Sequence, residues 1–216
     1  GKTLNETATS GTGISLSAGR DLIISSTTPV TMAGGSLSLT AVRNILINAA
    51  ATYATGGGAI SFTGDAVIAA DTTLSSSNGN ITINNKLDGD ADGTRSLTVN
   101  AGTGIFTTGG IIGGSYKLNN LTITADDVAL GANVAGSGNL TIQATTVTQQ
   151  MFVASDSVVG TGLRLSTTEL GYFVNGWNTI YLGRSDTSVR SYFGATNTAN
   201  FTDNLVLNGT SGDRKS

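Results

Sequence analysis

Along this chain apolar and small polar residues alternate over short stretches, and one frame keeps returning. A small or polar residue is followed by an apolar one, a usually polar one and a second apolar one, closing on Ala, Gly or a polar residue. It reads GISLSAG at 13–19, SLSLTAV at 36–42, AISFTGD at 59–65, NITINNK at 80–86, SLTVNAG at 96–102, NLTITAD at 120–126, NLTIQAT at 139–145 and NLVLNGT at 204–210. Alternation puts Ile14/Leu16, Leu37/Leu39, Ile60/Phe62, Ile81/Ile83, Leu97/Val99, Leu121/Ile123 and Leu140/Ile142 on one face and Ser or Thr on the other. Each copy is expected to be a half-buried strand. The first apolar positions fall at 14, 37, 60, 81, 97, 121 and 140, spaced mostly by 19 to 24 residues, with one short interval of 16 between 81 and 97.

Weaker apolar positions lie between the copies: Leu22/Ile24, Val30/Met32, Ile45/Ile47, Val67, Leu74, Ile105, Ile111, Val128/Leu130 and Val147. Apolar clusters thus come every seven or eight residues, grouped in threes to a period near 22. That pattern suits a solenoid whose coils each contribute three short strands and three glycine-rich corners. The fold class expected is all-β, a right-handed parallel β-helix, with seven coils up to residue 150 rising roughly 34 Å at strand spacing. An antiparallel sandwich is the rival, but Asn-Gly and Asp-Gly hairpin turns are few. The chain divides into a polar lead-in (1–12), repeat coils (13–150), aromatic-rich terminal coils with a short helix (151–208) and a polar tail (209–216).

Composition sharpens this picture. Thirty glycines and a single proline among 216 residues leave few helix formers. Charged residues make up 12%, so Ser, Thr, Asn and Gly must cover the exterior, which favours an extracellular setting. Eleven basic residues against fourteen acidic ones provide no footprint for nucleic acid. With no cysteine and no histidine, disulfides, thiolate chemistry, most zinc sites and His-based triads are excluded. No apolar run approaches a membrane span, so no membrane insertion is expected. GKTLNETATS lacks the regions of a signal peptide, so any export signal is expected upstream.

After about residue 150 the texture changes. Eight of the twelve aromatics fall there: Phe152, Tyr172, Phe173, Trp177, Tyr181, Tyr192, Phe193 and Phe201. A slim coil interior is expected to have little room for such rings, which are read as packing outside the coils or as a platform for carbohydrate. STTEL at 166–170 has capping-box spacing, with Ser166 as N-cap, Glu169 at N3 and Gly171 ending the turn. Strands are expected at 179–182 and 204–207.

The runs GNITI, DGDADGTRSLTVNAGTG, NNLTITADDVALG and GLRLSTTELGYFVNGWNTIYLGRSD resemble the β-strand repeats of filamentous-haemagglutinin-like giant bacterial exoproteins. The resemblance covers roughly residues 13–185, and its most specific piece is the LSTTEL…I.LGR junction. It implies a right-handed β-helix shaft exported unfolded by a Gram-negative route, with a role in adhesion, aggregation or biofilm. Neither an amino-terminal secretion domain nor a carboxy-terminal anchor is visible in the sequence.

Asp88, Asp90 and Asp92 followed by Gly93 match the opening D-x-D-x-D-G of a calcium loop. The twelfth position, where a bidentate glutamate would stand, is Val99. The alternatives are an incomplete calcium site and an Asp/Gly corner in an irregular coil. Parallel β-helices also host polysaccharide-degrading enzymes, so Asp126/Asp127 and Asp65/Asp71 are candidate acid–base pairs. Adjacent strand residues face opposite sides, which makes Asp126/Asp127 a poor acid–base couple. No lysine or arginine lies close by in sequence to handle uronate charge, so both pairs are read as corner residues and no enzyme activity is expected. Thr122/Thr124 and Thr146/Thr148 form Thr-x-Thr pairs that are not in one phase of the repeat. Asn80, Asn120 and Asn139 open N-x-T triplets read as corner asparagines.

The expected function is a structural segment of a large secreted or cell-surface bacterial adhesin on a Gram-negative cell. Its partner would be a host or matrix surface, with carbohydrate among the candidates. The alternatives are a self-assembling extracellular filament protomer, associating end to end, and a polysaccharide-degrading β-helix enzyme.

Overall fold

The structure, a computed structural model, describes residues 7–8, 11, 13–25, 27–49, 51–154, 161–194 and 201–209. Every strand pairing within them is parallel, and their single helix is Thr167–Leu170. The chain winds as a β-solenoid of about eight turns.

Three faces carry the strands. The first stacks Ile14–Ala18, the leading halves of Leu37–Ile47 and Ile60–Ile68, then Ile81–Ile83, Ile105–Thr108 and Asp127–Leu130. The second stacks Leu22–Ile24, the trailing halves of those two long strands and Leu87–Gly89. It continues as single bridges through Ile112, Val134 and Phe173. The third is a nine-stranded sheet running Thr7–Ala8, Val30–Met32, Ala51–Ala54, Thr72–Ser75, Leu97–Asn100, Leu121–Ala125, Asn139–Ala144, Thr179–Leu182 and Asn204–Leu207.

The register corrects the phase read from the sequence. The copies at 14, 37, 60 and 81 lie on the first face, whereas those at 97, 121 and 140 lie on the third. Ile81 stacks on Phe106, and Asn80 bonds to Ile105, 25 residues on. The interval of 16 is therefore a change of face, and the coil carrying Asp88 to Asp92 is long. The reason is local: alternation is equally strong on any face, so the pattern runs on from one face to another where IFTT and DVAL weaken the first. The same shift turns Ile105 and Ile111 outward, 39% and 43% exposed, while their neighbours Phe106 and Ile112 point in. Val147 is also outside.

Inside, side chains one coil apart stack in columns such as Leu74, Val99, Ile123, Ile142 and Leu182. Each buried aliphatic stabilises by about 1.5–3 kcal/mol. Phe62 is fully buried on the face its alternation with Ile60 assigns it, and, contrary to the expectation of little room for rings, so are Tyr53 and Phe106. Each lies between smaller neighbours, Phe62 between Leu39 and Ile83, Tyr53 between Val30 and Leu74, so one ring fills what two aliphatics leave. Trp177 is buried as well because position 136 is glycine: a Cβ there would meet its ring at 2.0 Å.

The capping box forms as the sequence predicts. Ser166 Oγ accepts from Glu169 N at 3.2 Å, Glu169 Oε2 accepts from Ser166 N at 2.9 Å, and Gly171 closes the turn. The strands at 179–182 and 204–207 are also present.

Among the described residues the winding order breaks once. After Asn139–Ala144 the chain forms Met151–Val153, then returns to place Leu163–Leu165 between that strand and Asp127–Leu130. Arg164 N donates to Asp127 Oδ1 at 2.9 Å across the latter junction. Tyr192–Phe193 then pairs on the far side of Met151–Val153.

Candidate functional site

The corner joining the third face to the first is built alike in three successive coils. Thr55–Gly58, Ser76–Gly79 and Ala101–Gly104 each turn outward, and in the first two a buried hydroxyl closes the turn: Thr55 Oγ1 donates to Gly58 O, Ser76 Oγ to Gly79 O. Gly102 has φ +58°, and a Cβ on it would collide with Ser77 O, so the stacked corners require glycine there. In the next coil the corner shrinks to Asp126 alone, between the strands Leu121–Ala125 and Asp127–Leu130. Above it the chain leaves the solenoid at Thr145, whose hydroxyl reaches past Asp126 to donate to Gly102 O.

A cleft of about 380 Å³ opens at this break, lined mainly by Thr103, Asp126, Thr145, Gln149, Gln150 and Val189. Gln149 Nε2 donates to Asp126 O at 2.6 Å and to Asp126 Oδ1 at 2.9 Å. Arg184 holds the departing chain: its Nη1 donates to Ala144 O and Thr145 O, each at 3.3 Å, while Asp186 takes its other nitrogens at 2.8 Å. Beside the cleft, Gln150 Nε2 donates to Tyr192 Oη at 3.4 Å. The Tyr192 ring stacks on Phe152 at 5.2 Å and 11°, and Arg164 lies over Phe152 at 4.9 Å.

The three loop aspartates are given separate tasks. Asp88, 3% exposed, accepts Ser115 N at 3.0 Å and lies 3.8 Å from Lys86 Nζ. Asp90 grips Arg95 with both oxygens, at 2.6 and 3.0 Å, and that guanidinium holds its pKa below the usual carboxylate value. Asp92 accepts Lys117 N at 2.7 Å. Among the described residues no three acidic side chains gather as a metal-ligand set, and Val99 lies buried in its strand. Asp88 and Asp92 thus accept main-chain N–H groups of the next coil, while Asp90 is held within the loop by Arg95.

The carboxylate pairs are split in the same way. Asp127 accepts Arg164 N while Asp126 faces Gln149; Asp65 lies 3.7 Å from Lys86 Nζ while Asp71 accepts Ser96 N at 2.9 Å. Asn80 accepts Ile105 N and Asn120 accepts Asn139 N, at 3.0 and 2.8 Å, as corner asparagines do. Thr122 stands in a column with Thr52, Thr73, Thr98 and Thr141, an alignment hidden from the sequence because the intervening steps differ in length. Thr146 and Thr148 instead border the cleft.

The cleft itself escaped the sequence reading. Its signals were the irregular step after Ala144 and the run of polar residues TTVTQQ at 145–150. Comparison with family models, with curated proteins and with solved structures finds no match to this chain.

Proposed function

We propose that the chain is a structural β-helix segment of a large secreted or cell-surface bacterial adhesin of the filamentous-haemagglutinin-like kind, non-catalytic and acting in adhesion, aggregation or biofilm. The observation that carries this reading is the parallel stacking through nine strands of one sheet, which advances about 4.8 Å per coil and so projects attached surfaces outward. An exterior of Ser, Thr and Asn with few charges supports an extracellular setting on a Gram-negative cell. The absence of cysteine accords with export in unfolded form. The separate engagement of Asp65, Asp71, Asp126 and Asp127 argues against paired-carboxylate hydrolysis.

The test displays the chain on non-adherent bacterial cells and scores attachment to matrix- and glycan-coated surfaces together with cell clumping. A gain in either is expected. Cells that behave as undecorated controls on every surface would overturn the reading.

A second reading, end-to-end self-assembly, is favoured by one observation. The outermost strands leave Tyr192, Phe193, Val206 and Leu207 between 37% and 44% exposed. Sedimentation that grows with concentration supports it, and a strict monomer removes it.

A further inference from the structure

The cleft at the winding break has a definite chemical character. Its volume, about 380 Å³, is that of a small-molecule site. Among the described residues its lining is almost wholly uncharged and polar: threonine hydroxyls, two glutamine amides and one carboxylate, with Val189 the one large aliphatic among them and no lysine or arginine. Gln149 fixes Asp126 through the main-chain oxygen and Oδ1, which leaves Oδ2 without a donor among the described residues. Tyr192, 41% exposed, ends a stack over Phe152 and Arg164, and Gln150 ties it to the cleft.

We infer that this cleft binds a neutral oligosaccharide, with Asp126, Gln149 and Gln150 as hydrogen-bonding groups and Tyr192 as the ring platform at its rim. Sugar hydroxyls both donate and accept, so they complement an acceptor-only carboxylate beside amides that do both. The apolar C–H face of a pyranose suits an exposed tyrosine whose position is set by stacking. An acidic sugar would meet the Asp126 charge with no lysine or arginine among the described lining residues to offset it. A cation would need several converging oxygens, and no three acidic side chains gather among the described residues. An apolar ligand would leave the amides and hydroxyls unpaired.

This inference deepens the adhesive reading and rests on it for its biological setting. The experiment is an amide-resolved NMR titration of the whole 216-residue chain with neutral glucose, mannose and galactose tetrasaccharides, against a galacturonic acid tetrasaccharide. Saturable shifts are expected around Thr103, Asp126, Thr145 and Gln149–Gln150, with at least one neutral sugar favoured over the acidic one. Asp126→Ala and Tyr192→Ala are expected to weaken binding by about tenfold or more. Asp126→Asn, which keeps an acceptor, should retain the neutral sugar and lose the discrimination against the acidic one. If Asp126→Ala disturbs amides far from the corner, Tyr192→Ala on the outermost strand carries the test. No saturable shift with any neutral sugar, preference for the acidic one, or unchanged binding in folded variants would overturn the assignment. Displayed cells separate the two claims: attachment that survives Asp126→Ala and Tyr192→Ala sinks the cleft and spares the adhesin, whereas sugar binding without attachment does the reverse.

Discussion

Glu169 Oε1 accepts the main-chain N–H of Leu130 at 3.0 Å, from a position 39 residues further along the chain. Its Oε2 meanwhile accepts from Ser166 N at 2.9 Å and Ser166 Oγ at 2.8 Å. One carboxylate therefore caps its own helical turn and satisfies a strand donor in the neighbouring coil. Glu169→Ala is expected to lower stability by about 1–3 kcal/mol, because two partly buried amides lose their acceptor. Glu169→Gln, which keeps one oxygen, should lose less. Denaturant melts of the two variants check this, and an unchanged midpoint for the alanine would show that solvent replaces the carboxylate.

Tyr53 lies fully buried between Val30 and Leu74, and its hydroxyl has no hydrogen-bond partner among the described residues. Burial pushes its pKa up to about 12. An unsatisfied buried hydroxyl costs about 1–3 kcal/mol, so Tyr53→Phe should raise stability, by about 1 kcal/mol. A lower melting temperature in the phenylalanine variant would mean that the hydroxyl is satisfied after all.

Asp21 is paired with Arg43, and the hydrogen bonds from that guanidinium lower its pKa from 3.8 to about 2. A carboxylate whose folded pKa is depressed contributes its stability above the unfolded value and loses it as pH falls through the folded one. The contribution of this exposed pair should therefore be intact above about pH 4 and fade as pH approaches 2. A carboxyl-detected NMR titration should place the Asp21 midpoint near 2 and move it upward in Arg43→Ala. A midpoint unmoved by that substitution would dissolve the pair.

For the Asp88–Asp92 loop, millimolar calcium is expected to leave the melting temperature where it is, since Asp90 is already committed to Arg95 and Asp92 to Lys117 N. Asp88→Ala, in contrast, should destabilise by about 1–3 kcal/mol by stranding Ser115 N and removing a partner of Lys86. A calcium-dependent rise that Asp90→Ala abolishes would restore the metal site.

Much of the fold could be read along the chain because its signals are local. The alternation of GISLSAG or NLTITAD marks a half-buried strand wherever it sits. The Ser166/Glu169 spacing marks a helical start because both partners of a capping box lie within one turn. The cleft was not legible, since Thr103, Asp126 and Gln149 are brought together by stacking across coils and by the reversal that places Leu163–Leu165 beneath Met151–Val153.

By itself the sequence determined that the chain is all-β, that its strands are short and half-buried, and that its period suits a stacked solenoid with a hydroxyl-rich exterior. Those properties follow from side-chain size and period-2 alternation, which each segment carries alone. Only the tertiary structure decided which face each segment occupies, that Tyr53 and Phe106 lie inside, and that three loop aspartates bind three separate partners. The physical reason is that these depend on backbone hydrogen bonds between residues about one coil apart, and a shift of one strand changes every neighbour without changing the local pattern.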